Sequence, residues 1–183
     1  SIGKTTRRRA EVLSTDFKNG RQGRLAFVKV GIDYSQDGRD CLREVQTIVY
    51  REPGAPMAPP EGHMPPDAPS DGWNHLVTPD PVLLFRFSAL TFNGHRIHYD
   101  RPYAEREEGY PGLVVHGPLV AVMLADLVRR NAPSPLKAFT YRATAPLFDL
   151  APFRLIGTMT GQDVALTALR SDGAQAAAAS ATL

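Results

Sequence analysis

Branched and aromatic residues cluster in separate runs along this chain, and the spacing within each run predicts its structure. Arg24 to Ile32 (RLAFVKVGI) is such a run, and after the turn Ser35 to Gly38 (SQDG) the stretch Cys41 to Arg51 (CLREVQTIVYR) repeats its character. Together they predict an antiparallel hairpin. Its long strands need an apolar layer to pack on, yet the first third of the chain holds no apolar helical period. The covering element is therefore expected from upstream residues or from the second half. Pro53 to Pro81 is dense in proline and has no period, which predicts an extended linker, docked by Trp73 and His75, with Trp73 as packing. In Val82 to Ser88 (VLLFRFS), Leu83, Phe85 and Phe87 alternate with Leu84 and Arg86, predicting a strand or strand-like lead-in.

The run Pro118 to Arg130 (PLVAVMLADLVRR) is apolar at Leu119, Val120, Val122, Met123, Leu124, Leu127 and Val128. That covers most of a helix circumference, so a helix buried on nearly all sides is expected. Arg129 and Arg130 complement its C-terminal dipole, and Asn131 with Pro133 ends it. Three more strands are predicted at Ala138 to Ala143, Phe153 to Met159 and Val164 to Arg170, the last followed by the turn Ser171 to Gly173. The low-complexity tail AQAAAASATL can supply a last small-residue strand. One helix followed by long antiparallel strands suggests a sheet wrapped around a helix.

Composition narrows the functional classes. With 183 residues, 43% of them hydrophobic, the chain can bury a core as one domain or two small ones. The formal net charge of +2 gives little support to nucleic-acid binding. Part of the basic excess lies early, at Lys4, Arg7, Arg8, Arg9, Lys18, Arg21 and Arg24, and reads as a solvated basic face or as an attraction for a phosphorylated ligand. The single cysteine, Cys41, excludes an internal disulfide and a multi-cysteine metal site, which fits a reducing cytoplasm. No apolar run approaches the roughly 20 residues of a membrane span, and no signal peptide is visible. The chain opens without Met and runs almost at once into strand-like sequence, so residues upstream of Ser1 are expected.

Chemistry concentrates between Ser88 and Arg130, which holds three of the five histidines. His95 and His98 lie three residues apart, and zinc would need His116 as a third ligand. Acid/base work fits better, because an imidazole titrates near neutrality and needs only one well-aimed proton path. The same histidines could instead satisfy buried polar groups. Asn93 can hold a water, and Asp100 can orient a histidine or cap a turn. Gly109 to Gly117 (GYPGLVVHG) brings three glycines to the start of the long helix, where backbone N–H groups can approach an oxyanion or where each glycine serves a turn.

The stretch SALTFNGHRIHYDRPYA followed by GYPGLVVHGPL resembles the MaoC-like hydratase/dehydratase family, in its branch of hydroxyacyl-thioester dehydratase type 2 and mesaconyl-CoA hydratase proteins. The first motif is similar to D-x-N-P-x-H-x-D-x-x-[YF]-A and the second to G-x-x-x-H-G. The resemblance implies an α+β hot-dog fold, an antiparallel sheet wrapped around a central helix, in a double arrangement with an incomplete first repeat. Residues 1–52 would then be the partial first repeat, 53–81 the proline-rich linker and 82–183 the catalytic repeat. It also implies a carbon–oxygen lyase that interconverts 2-enoyl and 3-hydroxyacyl thioesters of coenzyme A or acyl carrier protein, with no metal or redox cofactor.

His98 matches the family's catalytic histidine. Asn93 stands where R-specific enoyl-CoA hydratases carry an aspartate, and His95 where they carry an asparagine. An amide is no general base, so either His98 works alone while Asn93 positions water, or His95 takes part, or activity is weakened; the FNxHRIHYD form shared by the nearer branch favours the first. N–H groups near Gly112 or Gly117 would polarise the thioester carbonyl, and His116 would hold the turn more than touch substrate. Arg96 and Arg101 would bind a phosphate or the free carboxylate of an acyl group such as mesaconyl, unless they pair with Glu105, Glu107 or Glu108. The expected state is a homodimer or higher homo-oligomer. The competing reading is a non-catalytic hot-dog subunit that binds acyl thioesters or scaffolds a partner.

Overall fold

The computed structural model describes residues 1–20, 23–51, 56–60 and 63–183, and the chain divides into two compact units, Ser1–Gly54 and Ala55–Leu183. Arg21, the beginning of the proline-rich segment (52–55) and residues 61–62 lie outside the described residues.

The first unit is a three-stranded antiparallel meander of β1 (Arg7–Gly20), β2 (Gly23–Gln36) and β3 (Arg39–Arg51). Strands β2 and β3 form the expected hairpin, lengthened at both ends. Asp37 and Gly38, both with positive φ (51° and 75°), link the Gln36–Arg39 pair, the two-residue turn whose twist matches that of the strands. The strand-like start of the chain forms β1, which the sequence left without bounds because its charged start RRRAE hides the alternation that follows. A bulge between Val12 and Ser14 shifts its register against β2. Val12, Phe17, Leu42, Val45 and Val49 are exposed, and Ile32 is the buried large apolar residue of the described part of this unit.

The second unit is a five-stranded antiparallel sheet in the order β4-β6-β7-β8-β5, with β4 at Trp73–Val77, β5 at Ala138–Ala143, β6 at Phe153–Thr160, β7 at Asp163–Leu169 and β8 at Gln175–Thr182. Strands β5, β6 and β7 fall within a residue of the stretches expected for them, and the alanine-rich tail forms β8. Ala176, Ala177 and Ala181 are buried, their small side chains letting the sheet pack closely beneath the helix α3 (Gly117–Asn131). Leu119, Val120, Leu124, Leu127 and Val128 of α3 meet Phe153, Leu155, Val164 and Leu166 in the core.

Three expectations are corrected. Helix α3 is buried along one face and not nearly all round: the sheet covers only that side, and Val122 is 58% exposed. The proline-rich segment is not linker throughout, since β4 pairs with β6 from Trp73↔Gly157 to Val77↔Phe153. Buried Arg154 anchors it further, donating to Asn74 Oδ1 (2.8 Å) and Pro65 O (3.3 Å) and pairing with Asp67 (2.8 Å). Finally, Val82 to Ser88 belongs to the helix α1 (Pro81–Thr91), not to a strand. Asp80 Oδ1 accepts from the Leu83 N–H at 2.7 Å and Pro81 presets the first turn. The burial period follows the helix, at Leu84 and Ser88, four residues apart.

Candidate active site

Helix α1 ends at Phe92, whose left-handed backbone (φ 52°) turns the chain into the loop 93–100. The loop ties itself in place: Asn93 Oδ1 accepts from the His95 N–H (3.1 Å), and the Tyr99 hydroxyl donates to Gly94 O (2.8 Å). A 3-10 turn, Arg96–His98, then leads to the short helix α2 (Arg101–Arg106), where Asp100 is the N-cap, accepting from the Tyr103 N–H at 3.2 Å. Asp100 therefore takes the capping role, and it also binds Arg96 through Nε (2.9 Å) and Nη2 (2.7 Å).

The turn points His98 inward, leaving it 8% exposed. Its Nδ1 lies 2.7 Å from Val114 O, and the Val114 N–H donates back to Ile97 O at 3.0 Å. A carbonyl only accepts, so Nδ1 carries the hydrogen, and in the neutral ring Nε2 is the basic nitrogen. Burial pushes the His98 imidazole below its ordinary 6.5, opposed by the Val114 hydrogen bond and aided by His95. His98 is thus an imidazole biased toward its neutral form in a fixed tautomer.

His116, the N-cap residue of α3, is fully buried and stacks on His98 with ring centroids 3.7 Å apart and planes 16° from parallel. Its Nε2 lies 2.8 Å from Ser88 Oγ of α1, Phe87 meets it edge-on at 4.9 Å, and its Nδ1 is buried without a hydrogen-bond partner among the described residues. Burial, reinforced by His98, lowers its pKa to about 4. His95 approaches His98 edge-on at 5.7 Å. Among the described residues no group of three or more His, Cys, Asp or Glu side chains could hold a metal ion.

Gly117 follows His116, and a Cβ there would meet only the Tyr141 hydroxyl, at 3.8 Å. Its N–H belongs to the first turn of α3, where backbone donors lack intrahelical acceptors and the helix dipole favours negative charge. Beside it opens an apolar cleft of about 310 Å³ lined by Val114, Val115, Val120, Tyr141, Ala143 and Leu147. Gly112 serves packing instead: a Cβ would lie 2.9 Å from both Asp149 Oδ1 and Leu150 Cγ. Asp149 Oδ1 accepts from the Leu113 N–H (2.9 Å), and Oδ2 binds Arg101 at 2.5 Å. Arg101 also reaches Glu105 at 3.7 Å, whereas Arg96 lies 4.2 Å over the Tyr103 ring.

Of the residues singled out in the sequence, His95, His98, His116 and Gly117 come together, with Asn93 in the same loop. Gly112, Arg96 and Arg101 are engaged with acids or their neighbours at its edge. Ser88, the Val114 carbonyl and Tyr141 were missed. The signal for Ser88 was a small polar residue inside the apolar run VLLFRFSAL; nothing in the sequence marks a backbone carbonyl.

The family model described as hydroxyacyl-thioester dehydratase type 2 matches residues 1–149. The mesaconyl-C(4)-CoA hydratase of Chloroflexus aurantiacus is 54% identical over all 183 residues, which span 65% of that protein. The mitochondrial hydroxyacyl-thioester dehydratase type 2 of Schizosaccharomyces pombe is 33% identical over 70% of this chain and 43% of its own length. The chain thus spans less than two thirds of these relatives. Among solved structures, HtdX of Mycobacterium tuberculosis matches with a TM-score of 0.66 at 20% identity, over 97% of this chain and 67% of that one. The (R)-hydratase of A. caviae matches with 0.54 at 16% identity, over 60% and 90%. With its antiparallel sheet packed on one face of α3 in the α+β hot-dog fold and the match running through both histidine motifs, the chain belongs to the hydroxyacyl-thioester dehydratase type 2 family.

Proposed function

We propose that this chain carries the catalytic site of a hydratase/dehydratase that interconverts 2-enoyl and 3-hydroxyacyl thioesters, with His98 as general base and acid. The observation that carries the proposal is the bond from His98 Nδ1 to Val114 O, which leaves Nε2 as the basic ring nitrogen beside the start of α3. In hydration, His98 Nε2 takes a proton from water as the oxygen bonds to C3. The electron pair of the C2–C3 double bond moves toward the thioester carbonyl, whose oxygen gains charge facing the Gly117 N–H. His98 then returns its proton to C2, so that the atoms of one water are added. Dehydration runs the same steps backward. Asn93, whose carbonyl holds the His95 N–H, keeps its amide NH₂ for orienting the water. The chemistry requires no metal or redox cofactor; coenzyme A or acyl carrier protein is part of the substrate.

The acyl chain would occupy the apolar cleft beside Gly117. Similarity to a mesaconyl-C(4)-CoA hydratase supports a short dicarboxylic acyl group. Arg101 and Arg96 are the candidates for its carboxylate, because their side chains remain 37% and 56% exposed although paired with Asp149 and Asp100. We place the protein in the cytoplasm as a homodimer or higher homo-oligomer. The unpartnered apolar residues Val82, Phe85 and Phe92 on and beside α1 support the association.

The test follows loss of enoyl-thioester absorbance with crotonyl-CoA and mesaconyl-CoA, for the chain and for His98→Ala. Turnover that falls by about a hundredfold or more in the variant is expected for a lost general base. An inert parent that still binds the thioesters would instead establish the binding-subunit reading, and release of free thiol would indicate hydrolysis.

A further inference from the structure

We infer that Ser88 and His116 are positioning residues for His98: the Ser88 hydroxyl holds His116, and the His116 ring fixes the plane in which His98 presents Nε2. The inference rests on the reading of His98 as the acid/base group.

A hydrogen bond at Nδ1 fixes one edge of the His98 ring but leaves it free to tip about the line from Nδ1 to the Val114 carbonyl. The His116 ring, 3.7 Å away and nearly parallel, removes that freedom. His116 is itself fixed from three directions. Its backbone is the N-cap of α3, its Nε2 is held by Ser88, and its ring meets the edge of Phe87. Phe87 and Ser88 are consecutive on α1, whose Leu84 is sealed in the core. The plane of His98 is thereby referred to both helices.

The pair is costly for a packing contact. A buried hydroxyl and a buried imidazole both lose their hydration, and one imidazole nitrogen finds no hydrogen-bond partner among the described residues. Apolar residues would fill the volume without that loss. What the polar pair adds is a definite orientation of the ring lying against His98, and proton transfer is steeply sensitive to such orientation.

Few charged groups disturb this arrangement. His98 is faced by His95 on its own turn, by the Val114 carbonyl and by His116, and the acids at the edge of the loop, Asp100 and Asp149, are bound to Arg96 and Arg101. Loosening His116 should admit water to the buried face of His98 and let its pKa rise toward the ordinary value.

The experiment measures crotonyl-CoA hydration by the full chain between pH 4.5 and 8.5 for the parent, Ser88→Ala and Ser88→Thr. It is accompanied by ¹⁵N spectra of the imidazole rings, which report the tautomer and titration of His98 without turnover. Ser88→Ala should lower kcat about 5- to 30-fold, leave KM within about twofold, and shift the acid limb and the His98 titration upward. Ser88→Thr, which keeps a hydroxyl, should recover most of kcat and the parental limb. An unchanged limb and unchanged His98 spectrum in Ser88→Ala would overturn the inference, as would a loss that Thr does not restore. If the parent does not turn over enoyl thioesters, the hydratase reading fails separately, and the His98 spectra alone decide the positioning role.

Discussion

The two stacked histidines make the stability of the second unit depend on pH in a direction and amount that can be worked out. His116 titrates near 6.5 in the unfolded chain and at about 4 when folded, because its ring is buried. Between these values the unfolded state binds the proton and the folded state does not, so stability rises with pH through this window and is lost as pH falls from 6.5 toward 4. Integrated from pH 7 to pH 4.5, the loss from His116 alone is on the order of 2 kcal/mol. His98 acts in the same direction. Carboxylates with folded pKa values held low, such as Asp172 and Asp126, also lose stability in acid, but at lower pH. A variant isolates the histidine: His116→Gln does not titrate and keeps an amide near Ser88. Trp73, the single tryptophan, sits in β4, so its fluorescence during urea unfolding reads the second unit directly. With a urea dependence of about 1–3 kcal/mol per molar, the parent's midpoint should fall by roughly 1 M more than the variant's over this pH range. Equal falls in parent and variant would refute the burial of a neutral His116.

Other consequences are as direct. Gly112→Ala should destabilise the second unit by about 1–3 kcal/mol in the same assay, since its Cβ would be driven into the Leu150 side chain and into Asp149 Oδ1, which the Leu113 N–H and Arg101 hold in place. Asp80→Ala, which removes the N-cap of α1, should cost about 1 kcal/mol by the urea midpoint. Asn93→Asp should leave the loop intact, as a carboxylate also accepts the His95 N–H, while its charge raises the pKa of His98; the acid limb of crotonyl-CoA hydration, expected below 6.5 in the parent, should move up.

The sequence was most informative where one face of an element meets one kind of environment. Strand β7 alternates in burial because one face meets α3, whereas β6 is buried continuously from Phe153 to Gly157, and branched and aromatic runs bounded by turns located both. The helix α1 misled because Leu83, Phe85 and Phe87 alternate within an apolar run too short to separate the two periods; the cap Asp80–Pro81 was the better guide. β4 was hidden because its pairing with β6 spans some eighty residues, and the prolines around it erase any local pattern. Residue types revealed the histidines, but not their geometry. The tautomer of His98 is set by a main-chain carbonyl, and the clamp on His116 by a serine one apolar helix away.

Asn93 gains its meaning from that geometry. In an acid/base pair of aspartate and histidine, the proton taken from water and the proton given to carbon can reside on different groups. With an amide at that position, the proposed mechanism has one nitrogen do both, which requires that His98 begin neutral, accept a proton without a carboxylate to stabilise the imidazolium, and release it again. Burial, which depresses the His98 pKa, favours the release and the neutral starting form while weakening the acceptance. Fixing the ring by Val114 and His116 offsets that weakness, because Nε2 need not be oriented anew at each transfer. A single weakened base held rigidly and a pair of groups held loosely are two ways to reach the same transition state, and under the proposed mechanism the contacts around His98 fit the first.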